Sequence, residues 1–533
     1  MARPLQLLCL VVLVWGVWDA WQLAWVCDDA FISFRYAQHF VDGHGLVFNA
    51  GERVEGYTNF LWTLLVAGGM ALGADPVVLS LVMGWGAFVA VMLVLVASSR
   101  SMGSVLPIAA TGLALHLHAR TFATSGLETM FFTLWVTLAL VGSVGARRPR
   151  DWTVVGLFGA LATLTRPDGA LFCAIALLPA FLHGWRSVVA GGLPGALLVL
   201  PWAAWKVDYY GYLLPNTYYA KGAGEPWWDQ GFRYLGLYFG MYGVLLLAFV
   251  GLVAFSLRGR AGGGWSGSRA PRIWGLACAL YLVHVAKVGG DFMFARFLIP
   301  ITPILLLGAE WMIQRLDRGR ALVGGAFLAG LVFAPYPSEI LDPSADVDEE
   351  RLVYPWSQIE EAETIGGALA TVTEGLDVRV VVYGSQVMLA YYAGFPVVIE
   401  NFGLTDETIA RMPIEERTKP GHSRQVTAEY LRERGVDLIL GWRVLLDEGG
   451  FTEAEVAGLP CRIVTYRAEL WEELAKRGAR FTDFQVLLDG YLVHVDEVSD
   501  EDLAADYQVF RDYYFRYNDD PGREAPFLER LGG

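Results

Sequence analysis

Long apolar runs recur from Leu5 to Pro335. A bilayer's hydrocarbon core is about 30 Å thick, so a helix needs roughly 20 apolar residues to cross it. The pattern predicts spans near 5–26, 77–98, 103–118, 127–145, 152–165, 169–184, 187–207, 231–256, 273–288, 297–314 and 321–335. That is a mainly α, polytopic transmembrane helical bundle of about 11–12 spans. The short run at 57–73 breaks the alternation. It is either re-entrant or a span whose partner is not apparent. The run after Arg3 has no clean cleavage site between Trp15 and Asp28, so it reads as a retained anchor.

Beyond about residue 336 the period changes. Val378–Tyr383 is a β-branched run followed by Gly384 and Ser385, a strand and turn. Segments 396–400, 437–440, 462–466 and 484–488 read as further strands, and 427–434 and 469–477 have helical spacing. The chain therefore divides into a membrane domain, 1–335, with a loop at 27–57, and a soluble α/β domain, 336–533.

Basic residues orient the bundle. Arg147, Arg148 and Arg150 form one basic loop; His183 to Arg186 another; Arg258, Arg260, Arg269 and Arg272 a third; Arg315, Arg318 and Arg320 a fourth. With alternating spans all four share Arg3's side, the cytoplasm. The other polar segments, 27–56, 120–128, 166–169, 208–231 and 289–297, then meet the C-terminal domain on the outer side. Polar groups at membrane depth are costly and mark sites.

Composition agrees. Hydrophobic residues make up 55% and charged residues 18%, with mean hydropathy +0.41, more apolar than soluble domains at about 45–50%. The net charge of −15 arises in the C-terminal third, where about 39 acidic residues face 18 basic ones. No basic face emerges, which excludes nucleic acid as a partner. There is no zinc spacing, P-loop or dinucleotide fingerprint. No cofactor is expected, and a nucleotide sugar would lack a phosphate loop. One acidic pair offers too few ligands to argue a divalent metal.

Candidate chemistry begins with Asp28 and Asp29, directly after a membrane helix. Adjacent carboxylates raise one another's pKa, and a carboxylate held there suits general-base work. Both could equally mark a helix end in water. Phe31 and Phe34 have helical spacing, so part of this loop is expected to lie flat on the membrane with Arg35, His39 and His44 at headgroup level. Arg296, Arg166 and Lys221 are outer-side cations able to hold a phosphate. Asp291 lies five residues before Arg296 and could orient it, contact sugar hydroxyls, or merely pair with it. Asp168 and Arg166 could simply brace the turn around Pro167 and Gly169. Lys419, His422 and Arg424 form a basic cluster within an acidic region.

These segments resemble a known family. DDAFISFRYA at 28–37, GLVFN at 45–49 and GERVEGYTNFLW at 51–62 are similar to the first outer loop of C-type glycosyltransferases. Within that superfamily they resemble the terminal β-(1→2)-arabinofuranosyltransferases of mycobacterial cell-wall synthesis. TSGLE (124–128), TRPDG (165–169), GGDFMFARFLIP (289–300) and GLTD (403–406) with Gly421-His422 fit the same resemblance, which covers most of the chain. It implies a bacterial inner-membrane enzyme with a periplasmic active site and C-terminal domain. The implied donor is a polyprenyl-phosphate sugar, with a pentofuranose as one candidate, and the acceptor a glycan or lipid reached by inverting transfer. An acidic residue of the first loop serves such enzymes as base, here Asp29 or Asp28, with Asp29 favoured. Donor-binding candidates are Arg296, Arg166, Lys221, Asp291, Asp168, Arg35 and His422. Two rivals remain: a flippase of lipid-linked sugars, and a non-catalytic cell-envelope assembly protein.

Overall fold

A computed structural model describes residues 2–257, 269–316, 318–384, 386–440 and 452–532. Arg258, Arg260 and Ser385 lie outside them. The bundle comprises α1 (Ala2–Gln22), α2 (Asp28–Val41), α3 (Phe60–Ala71), α4 (Pro76–Ser101), α5 (Ile108–Leu115), α6 (Leu117–Thr121), α7 (Thr129–Gly145), α8 (Pro149–Thr165), α9 (Gly169–Leu177), α10 (Trp185–Pro194), α11 (Leu200–Tyr210), α12 (Asn216–Ala220), α13 (Trp228–Met241), α14 (Gly243–Leu257), α15 (Arg269–Val288), α16 (Thr302–Ile313) and α17 (Arg320–Val332).

The chain is a multi-pass membrane protein. Four apolar stretches among the described residues are long enough to cross by themselves: Arg3–Gln22, Pro76–Ser101, Trp185–Tyr210 and Arg296–Ile313. The pair α13–α14, bent by 106°, adds a broken fifth. Of the remaining expected spans, 273–288 lies in the continuous 20-residue α15, and the others are shorter or interrupted helices. Helix α5 stops at His116, whose ψ of 107° breaks the ladder, and α6 begins at the next residue.

Residues 57–73 hold one short helix. Helix α3 has 12 residues, about 18 Å at 1.5 Å per residue, shorter than the hydrocarbon core by itself. It starts at Asn59, hydrogen-bonded to Glu128, and Gly69 near its end packs against Leu79 of α4. It packs between α2 and α4.

The C-terminal region holds α18 (Glu350–Val353), α19 (Trp356–Thr373), α20 (Val387–Ala393), α21 (Ala428–Glu433), α22 (Ala468–Lys476), α23 (Phe484–Val493), α24 (Asp500–Phe510) and α25 (Pro521–Leu531). Its sheet contains β1 (Arg379–Val382), β2 (Val397–Glu400), β3 (Leu438–Leu440), β4 (Glu453–Val456), β5 (Leu459–Ile463) and β6 (Arg480–Phe481). The strand order is β2-β1-β3-β5-β4-β6. Strand β1 pairs in parallel with β2 and β3, and the remaining pairings are antiparallel. The strand expected at 462–466 sits slightly earlier, as β5. The strand expected at 484–488 is helix α23 instead. Asp483 caps it by accepting from the Gln485 amide, and Phe484 and Leu488 are buried four residues apart, a helical spacing.

The outer domain sits on α2. Phe31 and Phe34 meet Tyr391 at 5.5 and 6.4 Å between ring centroids. Asn49 exchanges hydrogen bonds with the backbone of Val398, and Arg434 pairs with Glu52. The amphipathic helix therefore does not lie on a lipid surface as expected. Its apolar face found a protein partner, α20, and is buried between bundle and outer domain.

Candidate active site

The junction between the two parts forms a partly open cavity of about 140 Å³. Its lining includes Asp28, Asp29, Lys221, Phe292, Asp348, Glu350, Glu400, Phe402, Lys419 and His422.

The two N-terminal carboxylates of α2 have diverged. Asp28 is buried and accepts from the amides of Val387 (3.2 Å) and Met388 (2.8 Å) at the start of α20. Burial pushes it up to about 7 against the pull of those amides. It is an anchor for the outer domain. Asp29 is half-buried, faces the cavity, and its carboxylate makes no hydrogen bond among the described residues.

Lys221 follows α12. Asn216 fastens that helix by donating to the carbonyls of Gly403, Leu404 and Asp406 at 2.9, 3.2 and 3.0 Å. The Lys221 stem runs along Gly421, whose absent side chain leaves Cε 3.4 Å from a Cβ position. Lys221 has no carboxylate within ion-pair distance among the described residues. Lys221 is solvent-exposed where it lines the cavity. The protein packed around the cavity lowers its pKa first, then the nearby Arg296, while Asp291 and Asp29 oppose them. By contrast, Lys419 is paired with Asp348 at 2.5 Å. His422 lies edge-on to Phe292 and Phe402 at 4.7 and 4.5 Å. Its Nδ1 faces the Pro420 carbonyl at 3.1 Å. A carbonyl only accepts, so Nδ1 carries the hydrogen and Nε2 is left as an acceptor. Burial also lowers this imidazole's pKa.

Arg166, Arg296 and Asp291 are not among the residues that line the cavity, but both arginines are close enough to influence Lys221. Arg296 grips Asp291 through two hydrogen bonds, Nε to Oδ2 and Nη2 to Oδ1 (2.9 Å). Arg166 bridges Glu128 (2.9 Å) and Asp168 (3.0 Å), and Tyr281 donates to the second Asp168 oxygen at 3.2 Å. Both guanidiniums approach the Phe297 ring, at 5.2 and 5.5 Å. Among the described residues Arg166 Nη2 and Arg296 Nη1 make no hydrogen bond. The backbone that presents Asp291 needs glycine. Gly289 and Gly290 have φ of 87° and 75°, and a Cβ at Gly290 would fall 2.5 Å from Tyr234.

Arg35 is not part of the site. Its Nε donates to the Phe48 carbonyl and an Nη2 to that of Phe395, both at 2.7 Å. It ties the first loop to the outer domain, and no donor reaches the cavity. Asp168 braces Arg166 from outside the cavity. Arg424 is likewise spent on the Tyr219 carbonyl.

Several lining groups were not legible in sequence. Glu400 ends β2 and accepts from the amides of Phe402 and Leu404, both at 2.8 Å; burial raises it to about 7. Asp348 and Glu350 come from the acidic run 346–350, which carries no motif of its own. Asp348 is tied in because its backbone pairs with Phe292 and Phe294. Burial and the Asp348 charge raise the Glu350 carboxyl. Beneath α2, Ser33, Asn59 and Glu128 connect Asp29's helix to Arg166. Among the described residues no group of three or more His, Cys, Asp or Glu could hold a metal ion.

Comparison with known proteins extends the resemblance seen in the first loop. The chain is 29% identical over 351 residues to a protein of Corynebacterium glutamicum named terminal beta-(1->2)-arabinofuranosyltransferase, covering 57% of this chain and 51% of that one. A protein of the same name from Mycobacterium tuberculosis is 29% identical over 367 residues, 59% and 57% of the two chains. The chain thus spans about half the length of the curated relatives it matches. The crystal structure of ArnT from Cupriavidus metallidurans bound to undecaprenyl phosphate aligns with a TM-score of 0.49 and 13% identity, over 74% of this chain and 85% of that one. No family model matches.

Proposed function

We propose that this protein is a membrane glycosyltransferase that moves a sugar from a polyprenyl-phosphate donor to an extracytoplasmic glycan or lipid acceptor. One observation carries the reading. An unbonded carboxylate, Asp29, and an unpaired cation, Lys221, share a cavity between the membrane bundle and the outer domain. Direct displacement uses both. Asp29 takes the proton from an acceptor hydroxyl, and the oxygen attacks the anomeric carbon as the bond to phosphate breaks. The phosphate leaves with added negative charge, which Lys221 and the free amino groups of Arg166 and Arg296 stabilise. Those arginines are already neutralised by Glu128, Asp168 and Asp291, so Lys221 supplies the uncompensated charge. The second product, a lipid phosphate, stays in the membrane beside the site. The names of the two relatives favour a pentofuranose as the transferred sugar. The basic loops favour the periplasmic face of the inner membrane as the side on which the cavity opens.

The test is Asp29→Asn in the full chain, assayed with a polyprenyl-phosphoryl pentofuranose. Turnover is expected to fall by about 10²–10⁴, while binding of a polyprenyl monophosphate is kept. Unchanged turnover refutes the assignment of the base. A wild-type chain that transports the donor without cleaving it refutes the transferase reading.

A further inference from the structure

A second cluster of titratable side chains lies where α5 gives way to α6. The break at His116 turns two histidines inward, and both are fully buried. His116 accepts the Ala119 amide at Nδ1 (3.1 Å), so its Nε2 donates to Tyr238, 3.1 Å away. Tyr238 passes the chain on to Thr302 at 2.8 Å. His116 also stacks on Tyr242 at 4.0 Å. His116 is therefore satisfied within the bundle.

His118 is not. Its Nδ1 meets the Tyr242 hydroxyl at 2.7 Å, and its Nε2 meets Glu349 Oε2 at 2.7 Å. Glu349 belongs to the linker into the outer domain, is 5% exposed, and also accepts from Tyr336 at 2.6 Å. It is flanked by Asp348 and Glu350, both of which line the cavity. The three consecutive acids thus serve three places. Asp348 holds Lys419 of the outer domain, Glu349 reaches down to His118, and Glu350 faces the cavity. Asp348 is a bridge residue beside Met293, Glu349 caps α18 and Glu350 opens it, so the three side chains leave the backbone in different directions. Fixing the middle one therefore sets the direction of its neighbours.

We propose that His118 and Glu349 form a clamp that sets the register of residues 348–350. His118 is thereby a positioning residue for the acidic wall of the cavity, where acceptor hydroxyls find carboxylate partners. The kinetic part rests on the transferase reading; the structural part does not. Without the imidazole, Glu349 would be a buried carboxylate with only a tyrosine partner. It would swing to water and carry Asp348 and Glu350 with it.

The experiment uses the full chain in phosphatidylglycerol–phosphatidylcholine nanodiscs. Backbone hydrogen exchange is followed in peptides covering 290–300 and 345–353 for wild type, His118→Ala and His118→Gln. The glutamine variant keeps one N–H donor for Glu349. His118→Ala should speed exchange at least tenfold in both peptides, and His118→Gln should recover most of the protection. With a polyprenyl-phosphoryl pentofuranose donor and a short arabinan acceptor, His118→Ala should raise acceptor KM about tenfold, with kcat within threefold. Wild-type exchange in His118→Ala overturns the clamp. Faster exchange with unchanged acceptor KM overturns the positioning role. Should wild type turn over no donor, the transferase reading fails, and the exchange data alone decide the clamp.

Discussion

The buried pair of Lys206 and Glu55 gives the sharpest quantitative expectation. Lys206 stands near the outer end of α11, 2.8 Å from Glu55 of the first loop, and their side chains are 3% and 4% exposed. Burial pushes Glu55 up to about 7 even with the ammonium beside it. From an ordinary 4.5, that shift corresponds to roughly 3 kcal/mol of unfavourable ionisation. Lys206→Met keeps the bulk of the side chain and removes the charge. Breaking a buried pair from one side costs about 3–5 kcal/mol, since the remaining charge stays desolvated. The sign with pH follows from linkage. The folded pKa of Glu55 lies above its unfolded value, so folding takes up a proton between about pH 4.5 and 7. The stability this group contributes is fully present below about 4.5 and is lost as pH rises through 7. The variant should therefore be severely destabilised at pH 8 and much less so at pH 5.5, where Glu55 is neutral. Lys206→Met with Glu55→Leu removes both charges and should restore wild-type stability at either pH. Thermal unfolding of the detergent-purified full chain, followed by size-exclusion fluorescence at both pH values, reads this out. A single variant as stable as wild type at pH 8, or equally impaired at both pH values, would refute the reasoning.

Other expectations concern the cavity. Gly290→Ala should lower thermal stability and weaken binding of a polyprenyl monophosphate, because its φ of 75° and the Tyr234 ring leave no place for a Cβ; the thermal shift on adding lipid phosphate measures both. Lys221→Ala should lower affinity for the same lipid about tenfold or more. In wild type that affinity should fall as pH rises through the lowered Lys221 pKa, a slope the variant lacks; titration between pH 6 and 10 checks it. Asp28→Ala orphans the buried amides of Val387 and Met388. At about 1–3 kcal/mol for each unsatisfied group, it should loosen α20, read as faster hydrogen exchange over 387–393.

Much of the architecture is carried by local signals that need no tertiary context. Apolar length announces the membrane runs, and a change of period announces the outer domain at about residue 336. β-Branched runs announce β1, β2 and β3. Segment 484–488 was misread because a short apolar stretch carries no period of its own; Asp483 as a cap and the packing of Phe484 and Leu488 make it helical. Helix α2 shows its amphipathic face in sequence, but whether that face meets lipid or protein depends on where α20 docks, some 350 residues later in the chain.

The candidate site divides the same way. Sequence alone marks Asp28, Asp29, Asp291, Arg166, Arg296 and Lys221 as costly polar residues at a membrane boundary, and His422 as part of a basic cluster in an acidic region, because side-chain chemistry and its surroundings along the chain are local properties. Only the fold separates Asp28, spent on two backbone amides, from Asp29, which is free. Only the fold removes Arg35 to a structural tie and brings Asp348, Glu350 and Glu400 to the cavity wall. A hydrogen-bond partner hundreds of residues away decides whether a charge is committed or available, and that partner is chosen by packing.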